Sequence, residues 1–451
     1  MARWLLLPVE TKAREFHAKL LLAAVAAEAG WDVLLGEQNA ILAQLPVLPR
    51  GVYLDKSIAR TKTAHFRRLR AAGHRIVAWC EEGLVYRDRD AYLHERICLD
   101  SLAEVDRFFC WGEVQREDVL SKAGLQERPG DGDKLVLAGN PRFDLLRPSC
   151  RGLFAAEAEQ LNREHGDYIL INTNFARYNH FNGPDYLIEV LRQRGTLTTA
   201  EQEGFYSRWR DFLGELFHGF AAAIPALSKA FPDRTIVLRP HPSENHQRWS
   251  ELTRDLPNVR VVYQGNVVPW LMASPVLVHN SCTTGLESFL LDKPALAFRP
   301  ATSETYDSYL PNAVSRSVWS ADELIESVRD ALAAGHVAKD AQADNVAARY
   351  YAARDGALAA ERVVATLDTL PAADNRPAPP VARLKARAAP LRDLARRVLR
   401  PRQAAYVRQK FPGLDLTETE AELARLATAA DRFGNVTVGP HAWRCFHLRA
   451  A

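Results

Sequence analysis

Residues 3–36 read RWLLLPVETKAREFHAKLLLAAVAAEAGWDVLLG, and the pattern of this stretch decides the fold class. The apolar run RWLLLPVE is typical of a buried strand, and the leucine- and alanine-rich stretch that follows favours a helix. Thr11 is suited to cap the start of that helix, and Gly30 is suited to end it. The second apolar run, WDVLLG, completes a strand–helix–strand unit with short connections. Such a unit predicts a parallel sheet.

The same alternation continues along the chain and predicts two α/β domains. The first, residues 1–150, ends with KLVLAG, and the second, residues 151–370, begins near DYILINTNF. Two Rossmann-like halves with a cleft between them make the GT-B architecture, in which ligands lie beyond the carboxyl ends of the strands. Residues 371–451 are rich in proline, alanine and arginine at first, which predicts a linker and a basic, helical C-terminal extension.

The composition is that of a globular protein. The 451 residues are 47% hydrophobic and 25% charged, and the net charge of +3 gives no sign of nucleic-acid binding. The six cysteines are scattered without a CxxC pair, which argues against a zinc knuckle or a disulfide framework. Without a signal-peptide pattern or an apolar run of membrane-spanning length, the sequence predicts a cytoplasmic protein. Membrane contact, if any, would be peripheral.

Two polar clusters each follow an apolar run in the second half. In VLRPHPSEN, residues 237–245, prolines fix the backbone on both sides of a histidine that can donate to a phosphate. In HNSCTTGLES, residues 279–288, small residues let the start of a helix approach an anion, and a glutamate one turn later suits ribose hydroxyls. The plainer interpretations are a loop histidine and simple helix capping. The candidate nucleotide-binding residues are Arg239, His241, Ser281, Thr283, Thr284 and Glu287.

The stretch LINTNFARYNH adds polar side chains at the first strand end of the same half. Asn174 is the candidate donor-binding residue here, with Asn172, Thr173 and Arg177 beside it. Asparagine amides can hold phosphate or sugar hydroxyls without changing the charge of the site. His180 is more typical of a surface residue.

The motifs RPHP, HNSCTTGLES and KPALAF together resemble the nucleotide-binding half of GT-B sugar transferases, in particular those that use CMP-sugars. CDP-glycerol glycerophosphotransferases and UDP-GlcNAc 2-epimerases have a related layout. With WCEEGLVY and GNPRFD, the chain resembles the bacterial surface carbohydrate biosynthesis protein family over about residues 1–370 and in the KFPGLDL tail. That family is similar to the retaining β-Kdo transferases, which build capsule and O-antigen polymers from CMP-Kdo.

The resemblance implies catalytic roles in the first half. Asp144, in GNPRFD, would be the nucleophile of a retaining mechanism or the base for an acceptor hydroxyl. Glu82 in WCEEG is its favoured partner, ahead of the adjacent Glu81, and Arg142 would neutralise a sugar carboxylate. The plainer interpretation of Asp144 and of the glutamate pair is a place at a helix start.

Metal-independent catalysis is expected, since no DxD pair stands at a strand end. The sequence YRDRD has the spacing but lies in an arginine-rich loop. The helix dipole, His241 and the hydroxyl groups would stabilise the leaving phosphate instead. No cofactor is expected apart from the nucleotide-sugar donor, which the resemblance suggests is CMP-linked.

Two further charged segments leave alternatives open. Glu10, Lys12, Arg14 and Glu15 follow the first strand and would bind an acceptor or form surface ion pairs, the second being slightly preferred. The basic segment ARLKARAAPLRDLARRVLRPRQ would lie on an anionic membrane or pack across the two domains. A nucleic-acid role is less favoured, because aromatic residues do not interleave with the basic ones.

The sequence therefore favours a glycosyltransferase. It would move Kdo or a related acidic sugar onto a bacterial surface polysaccharide or its lipid-linked precursor. A CDP-polyol phosphotransferase and a UDP-sugar transferase or epimerase are alternatives on the same scaffold. A third alternative is a non-catalytic scaffold of a polysaccharide assembly complex.

Overall fold

The computed structural model describes residues 3–86, 89–124, 134–193, 195, 197–335, 340–374, 378–399 and 411–451. Two residues of the YRDRD motif, 87–88, and the basic segment beyond residue 399 lie outside these ranges, as does Lys410 of the KFPGLDL tail. The chain forms two compact units, the first made of Met1–Leu84, Arg89–Leu153 and Ala348–Ala451, and the second of Val85–Asp88 and Phe154–Ala347.

The described strands are β1 (Trp4–Val9), β2 (Asp32–Glu37), β3 (Val52–Asp55), β4 (Arg75–Ala78), β5 (Arg107–Cys110), β6 (Leu135–Leu137), β7 (Ile169–Asn172), β8 (Ile236–Arg239), β9 (Val259–Val261), β10 (Val276–His279), β11 (Ala295–Phe298), β12 (Arg316–Val318), β13 (Val436–Ala442) and β14 (Cys445–Ala450).

The described α-helices are α1 (Lys12–Glu28), α2 (Gln38–Gln44), α3 (Thr63–Ala71), α4 (Arg89–Arg96), α5 (Leu99–Glu104), α6 (Glu113–Ala123), α7 (Pro141–Asp144), α8 (Ala155–His165), α9 (Tyr186–Gln193), α10 (Ala200–Ala230), α11 (His246–Leu252), α12 (Val267–Ala273), α13 (Thr283–Leu290), α14 (Tyr309–Ala313), α15 (Ala321–Ala334), α16 (Ala341–Tyr350), α17 (Ala359–Leu367), α18 (Pro380–Arg387), α19 (Ala389–Leu399) and α20 (Leu416–Ala430). None of these helices is long and apolar enough to cross a bilayer.

The first unit is built on an eight-stranded sheet with the order β13-β14-β2-β1-β3-β4-β5-β6. Strands β1 to β6 are parallel, as the strand–helix–strand pattern predicts. Helix α1 contacts β1 and β2 on one side and α7, α17 and α20 on others. Its residues from Ala18 to Ala27 are all buried. A helix enclosed in this way needs no polar face, which explains the unbroken apolar stretch.

The last residues of the chain form a hairpin that the sequence analysis missed. Strand β14 pairs antiparallel with β13 and with β2, so the hairpin extends the first sheet beyond its parallel part. The backbone of β14 comes so close to β2 that a Cβ on Gly36 would lie 2.6 Å from the carbonyl oxygen of Arg444. Glycine at position 36 therefore permits this strand pairing.

The segment that follows the second unit returns to the first. The predicted second domain, residues 151–370, includes α17, but in the structure Ala348 and the described residues after it belong to the first unit. The reason is apolar packing: Val363, Val364 and Leu367 of α17 are buried, and α17 contacts α1. Helix α17 thus contributes to the core of the first unit.

The second unit has a six-stranded parallel sheet with the order β12-β11-β10-β7-β8-β9. One face is covered by a core that includes residues of α10 and α15. Helix α10 begins at a capping box formed by Thr199 and Gln202. The strand order reverses between β7 and β10, and in open α/β sheets the ligand crevice lies at such a reversal.

Candidate functional site

Three polar side chains stand at the same level on the carboxyl edge of the second sheet. Asn172 ends β7, in register with Arg239 at the end of β8 and with His279 at the end of β10. The residues before them on all three strands belong to the apolar core. Because successive residues of a strand point to opposite faces, all three side chains project from the other face. They therefore lie together beside the reversal of strand order.

Several buried polar atoms at this edge have unused hydrogen-bonding capacity. Asn172 is 3% exposed, and within the described residues neither Oδ1 nor Nδ2 has a hydrogen-bond partner. The same holds for Nη1 of Arg239 and for Oγ1 of Thr284, both of which are buried. Buried polar groups in native proteins are nearly always paired, so a ligand that pairs these atoms would satisfy them. Buried unpaired atoms also occur elsewhere in the described residues, for example on His74 of the first unit, so the position of these atoms at the sheet edge is what points to a ligand.

Arg239 is held in an aromatic setting. Its Nη2 donates a hydrogen bond of 2.9 Å to the carbonyl of Gly265, and its guanidinium carbon lies 5.1 Å from the ring centroid of Tyr263 and 5.8 Å from that of Trp270. Burial lowers the pKa of Arg239 from its usual value, while Tyr263 and the nearby Glu287 act in the opposite sense. A fixed, desolvated cation of this kind attracts anions strongly.

Glu244 ties the loop after β7 to the loop after β8. Its buried carboxylate accepts hydrogen bonds from the hydroxyl of Thr173 at 2.8 Å and from the backbone N–H groups of Phe175 at 2.9 Å and His241 at 3.1 Å. The indole of Trp249 donates a fourth bond of 2.8 Å. The sequence analysis passed over this residue, although an acid two residues after the second proline of RPHP was the available signal.

His241 is half-buried and held by its own loop. Its Nδ1 accepts a hydrogen bond of 3.2 Å from the backbone N–H of Ser243, so in the neutral ring the proton is on Nε2. Its carbonyl lies 3.1 Å from Nε2 of His246. The prolines and Glu244 together give the rigid histidine that the RPHP motif predicts.

The imidazole of His279 packs against the first turn of α13. It is fully buried, and burial lowers the pKa of its imidazole to about 3, so the ring is neutral. Its Nε2 lies 2.9 Å from the hydroxyl of Ser315. A Cβ on Gly285 would come within 2.5 Å of the same nitrogen. Glycine at this position therefore lets the first turn of α13 rest on the imidazole.

The loop between β10 and α13 is also fixed by side chains. Oδ1 of Asn280 accepts a hydrogen bond of 2.8 Å from the backbone N–H of Asn174, whose side chain is exposed. Ser281 has a φ of 49°, and its hydroxyl is bonded to the amide of Asn312. The hydroxyl of Ser281, which the sequence analysis assigned to the nucleotide, is thus hydrogen-bonded within the protein. Thr283 begins α13, half-buried.

Glu287 lies on α13, one turn after Thr283, as the sequence spacing predicts. It is 1% exposed, and its charge favours the protonated form of Arg239. The candidate residues of the second unit are therefore clustered at one edge of one sheet. Two others point elsewhere: Arg177 lies 3.8 Å from the ring centroid of Trp209, and His180 stacks on Tyr186.

In the first unit, Asp144 does not have the surroundings of a nucleophile. It is fully buried, with Oδ1 accepting from the N–H of Ala359 at 2.8 Å and from the hydroxyl of Tyr351 at 3.3 Å. Its Oδ2 accepts from the N–H of Ala360 at 2.9 Å. Burial raises the pKa of Asp144 to about 6, against the opposing effect of these two N–H groups. The carboxylate caps the start of α17, which favours the plainer structural interpretation of Asp144 over the catalytic one.

The remaining candidates of the first unit differ in exposure. Glu81 accepts a hydrogen bond of 2.7 Å from the indole of Trp79, which uses part of its carboxylate locally. Glu82 is exposed, and its carboxylate lies 3.1 Å from Arg14 and 4.0 Å from Arg96. Arg142 donates its backbone N–H to Asn140 and carries its guanidinium 6.0 Å from the ring centroid of Phe143.

The turn after β1 contains a buried ion-pair network instead of simple surface pairs. The carboxylate of Glu15 is fully buried and lies 2.8 Å from Nζ of Lys19 and 3.3 Å from Nζ of Lys56. Burial alone would raise its pKa, but Lys19 and Lys56 lower the pKa of Glu15 to about 2. Lys56 also pairs with Glu10 at 2.6 Å, and Lys12 pairs with Glu418 at 2.5 Å.

Comparison with solved structures identifies the fold. A putative UDP-N-acetylglucosamine 2-epimerase from Listeria monocytogenes is similar at a TM-score of 0.50 and 14% identity, covering 82% of this chain and 96% of its own. A UDP-GlcNAc 2-epimerase from Neisseria meningitidis, bound to UDP-GlcNAc, has the same TM-score and identity and covers 82% and 100%. The chain has the GT-B fold. This confirms the fold class predicted from the sequence.

The remaining comparisons do not identify a family. The wall teichoic acid polymerase TagF is similar at a TM-score of 0.48 and 9% identity, over 81% of this chain and 87% of its own. No family model and no curated protein match the chain. The resemblance to the surface carbohydrate biosynthesis family and to β-Kdo transferases therefore stays a prediction.

Proposed function

We propose that the chain is an enzyme that binds a sugar nucleotide at the carboxyl edge of its second sheet and transfers the sugar. The observation that carries this proposal is the group of buried polar atoms on Asn172, Arg239 and Thr284 that have no partner within the described residues. Their position at the reversal of strand order is where open α/β sheets bind ligands.

The chemistry of these groups suits a nucleotide phosphate and ribose. Arg239 supplies a fixed positive charge, while Thr284 and the first N–H groups of α13 supply neutral donors to phosphate oxygens. His241, with its proton on Nε2, adds a further donor. Glu287 has the charge and length to accept hydrogen bonds from two ribose hydroxyls.

For the donor, we propose a CMP-linked acidic sugar such as Kdo. Support comes from the resemblance of RPHP and HNSCTTGLES to the motifs of CMP-sugar transferases. The product would be a bacterial surface polysaccharide or its lipid-linked precursor, made inside the cell without a catalytic metal.

A second candidate is a UDP-sugar epimerase. It is favoured by the likeness at a TM-score of 0.50 to two UDP-GlcNAc 2-epimerases, although at 14% identity that likeness concerns the fold. An epimerase turns over its substrate without an acceptor, whereas a transferase needs one. The two candidates therefore differ in a directly measurable requirement.

From the first unit, we propose Glu82 as the catalytic carboxylate. It is exposed, unlike Asp144, and its carboxylate lies 3.1 Å from Arg14 and 4.0 Å from Arg96. Glu82→Gln keeps the size of the side chain and removes its basicity. We expect kcat to fall by roughly 100-fold or more with nucleotide affinity unchanged. The matched variant Glu81→Gln should have a much smaller effect.

The binding step is tested by isothermal titration calorimetry of the full chain with CMP, CDP and UDP. Thermal denaturation with each nucleotide measures the shift in Tm. Saturable binding of CMP over the other two supports the CMP-sugar proposal. Preference for UDP, with turnover of UDP-GlcNAc in the absence of any acceptor, would support the epimerase. Binding of none of the three would refute the sugar-nucleotide site. Unchanged turnover by Glu82→Gln would refute the catalytic assignment alone.

A further inference from the structure

Helices α18 and α19 carry an exposed apolar surface. Six large apolar residues in these two helices are between 62% and 79% exposed. They are Val381, Leu384, Leu391, Leu394, Val398 and Leu399. The other exposed large hydrophobic residues of the described chain are distributed over both units, mostly one at a time. A concentration of this kind marks an interaction site more often than it marks ordinary surface.

The apolar side chains of α19 form a stripe that faces away from the protein. Ala389 is buried and Asp393 and Arg397 are half-buried, at spacings of four residues, and α19 contacts α2. Leu391, Leu394 and Val398 follow the spacing i, i+3, i+7, which places them on the opposite side of the helix. The stripe is therefore not part of the core of the first unit.

Exposed positive charge lies in the same two helices as this stripe. Residues 380–399 contain six basic side chains and one acidic one. Asp393, the acidic residue, is paired with Arg397 at 2.7 Å. The exposed cations are Arg383, Lys385, Arg387, Arg392 and Arg396. Helices with an apolar stripe and flanking basic residues bind anionic bilayers by inserting the stripe at the boundary between headgroups and acyl chains.

We propose that α18 and α19 dock the protein on the surface of an anionic lipid bilayer. The leucine and valine side chains enter the interface, and the arginine and lysine side chains contact the lipid phosphates. The charge excess favours a bilayer over an apolar protein groove, because anionic headgroups neutralise all of the exposed cations at once. This surface shares no residue with the proposed sugar-nucleotide site, and the proposal does not depend on that site.

Vesicle flotation of the full chain tests the proposal. We expect the protein to float with vesicles of phosphatidylcholine mixed with phosphatidylglycerol and to stay behind with phosphatidylcholine alone. The double variant Leu391→Gln, Leu394→Gln should lower the partition coefficient by roughly tenfold or more. Its matched control is Leu99→Gln, which changes an exposed leucine of α5 and should have no effect.

Charge variants test the second half of the proposal. Arg392→Gln and Arg396→Gln should each weaken binding by about fivefold, an effect that added salt reduces. All of these side chains are exposed, and circular dichroism with thermal denaturation checks that each variant is folded.

Three outcomes would overturn the proposal. The first is that the protein does not float with the anionic vesicles. The second is that the leucine variant floats as well as the parent chain, which would leave only non-specific charge attraction. The third is that the parent chain self-associates in sedimentation velocity, does not bind vesicles, and becomes monomeric with the leucine variant. That result would assign the stripe to a second copy of the chain.

Discussion

Replacing Asn172 by leucine separates ligand binding from structural support. The two side chains have the same number of heavy atoms and the same branching, so the change removes polarity with little change in volume. Leaving a buried polar group unpaired costs about 1–3 kcal/mol, and both amide atoms of Asn172 are unpaired within the described residues. The free energy of unfolding of the unliganded Asn172→Leu variant should therefore rise by about 1–3 kcal/mol.

Nucleotide affinity of the Asn172→Leu variant should fall, whereas its stability should rise. Two neutral hydrogen bonds to a ligand are worth about 1–3 kcal/mol together, which corresponds to a rise in Kd of roughly 5- to 150-fold. A residue that lowers stability while it raises affinity is typical of a binding site. Replacing a residue with a purely structural role would instead lower the free energy of unfolding.

Asn280→Leu is the matched control. Asn280 is also 3% exposed and directly follows β10 of the same sheet, but its Oδ1 accepts the N–H of Asn174 at 2.8 Å. The same substitution should therefore lower the free energy of unfolding by about 1 kcal/mol or more. The change in the free energy of unfolding is therefore expected to have opposite signs in the two variants, although the replaced side chains and their burial are alike.

Urea denaturation with and without CMP or UDP measures both quantities for each variant. The reasoning is refuted if Asn172→Leu destabilises the unliganded protein as much as Asn280→Leu does and binds nucleotide as tightly as the parent chain. In that case the amide of Asn172 would be satisfied by solvent, and its position at the reversal of strand order would have no functional meaning.

Two further predictions concern the first unit. Asp144→Ala removes the carboxylate that caps α17 and should lower the free energy of unfolding by about 2 kcal/mol, while kcat of the folded protein stays within about twofold; a large loss of kcat at unchanged stability would restore a catalytic role. For Glu15, the folded pKa of about 2 is below the ordinary 4.5, so its contribution is present above pH 4.5 and is lost as the pH falls towards 2. Glu15→Gln should therefore lower stability at pH 7 by on the order of 3 kcal/mol and flatten the acid limb of a stability–pH curve, and an unchanged acid limb would contradict the assignment.

The fold was predictable because its signals are local. The apolar runs of β1 and β2 and the helix-forming stretch of α1 lie within residues 3–36, and the same strand–helix pattern recurs in the second unit. Thr11 precedes α1 as predicted but makes no side-chain capping bond. The positions of RPHP and of HNSCTTGLES at strand ends follow from that pattern alone. Neighbouring strand ends on one sheet edge then bring the two motifs together, without any knowledge of individual contacts.

The errors arise where partners are distant in sequence. The capping position of Asp144 could not be predicted, because its N–H donors, Ala359 and Ala360, lie more than 200 residues later and carry no sequence signal. The hairpin of β13 and β14 was missed because its strands alternate only weakly between buried and exposed positions. Its pairing with β2 depends on the absence of a side chain at Gly36, which a sequence pattern does not reveal.

The polar residues that follow the strands of the second sheet belong to two physical classes. In one class the polar atoms are bonded within the protein and hold the loops in place: Glu244, Asn280 and Ser281. In the other class buried polar atoms have no partner within the described residues: Asn172, Arg239 and Thr284. Both classes consist of polar residues after a strand, so composition and spacing do not separate them, whereas hydrogen-bond accounting does. Substitutions in the first class should therefore act mainly on stability and those in the second mainly on nucleotide affinity.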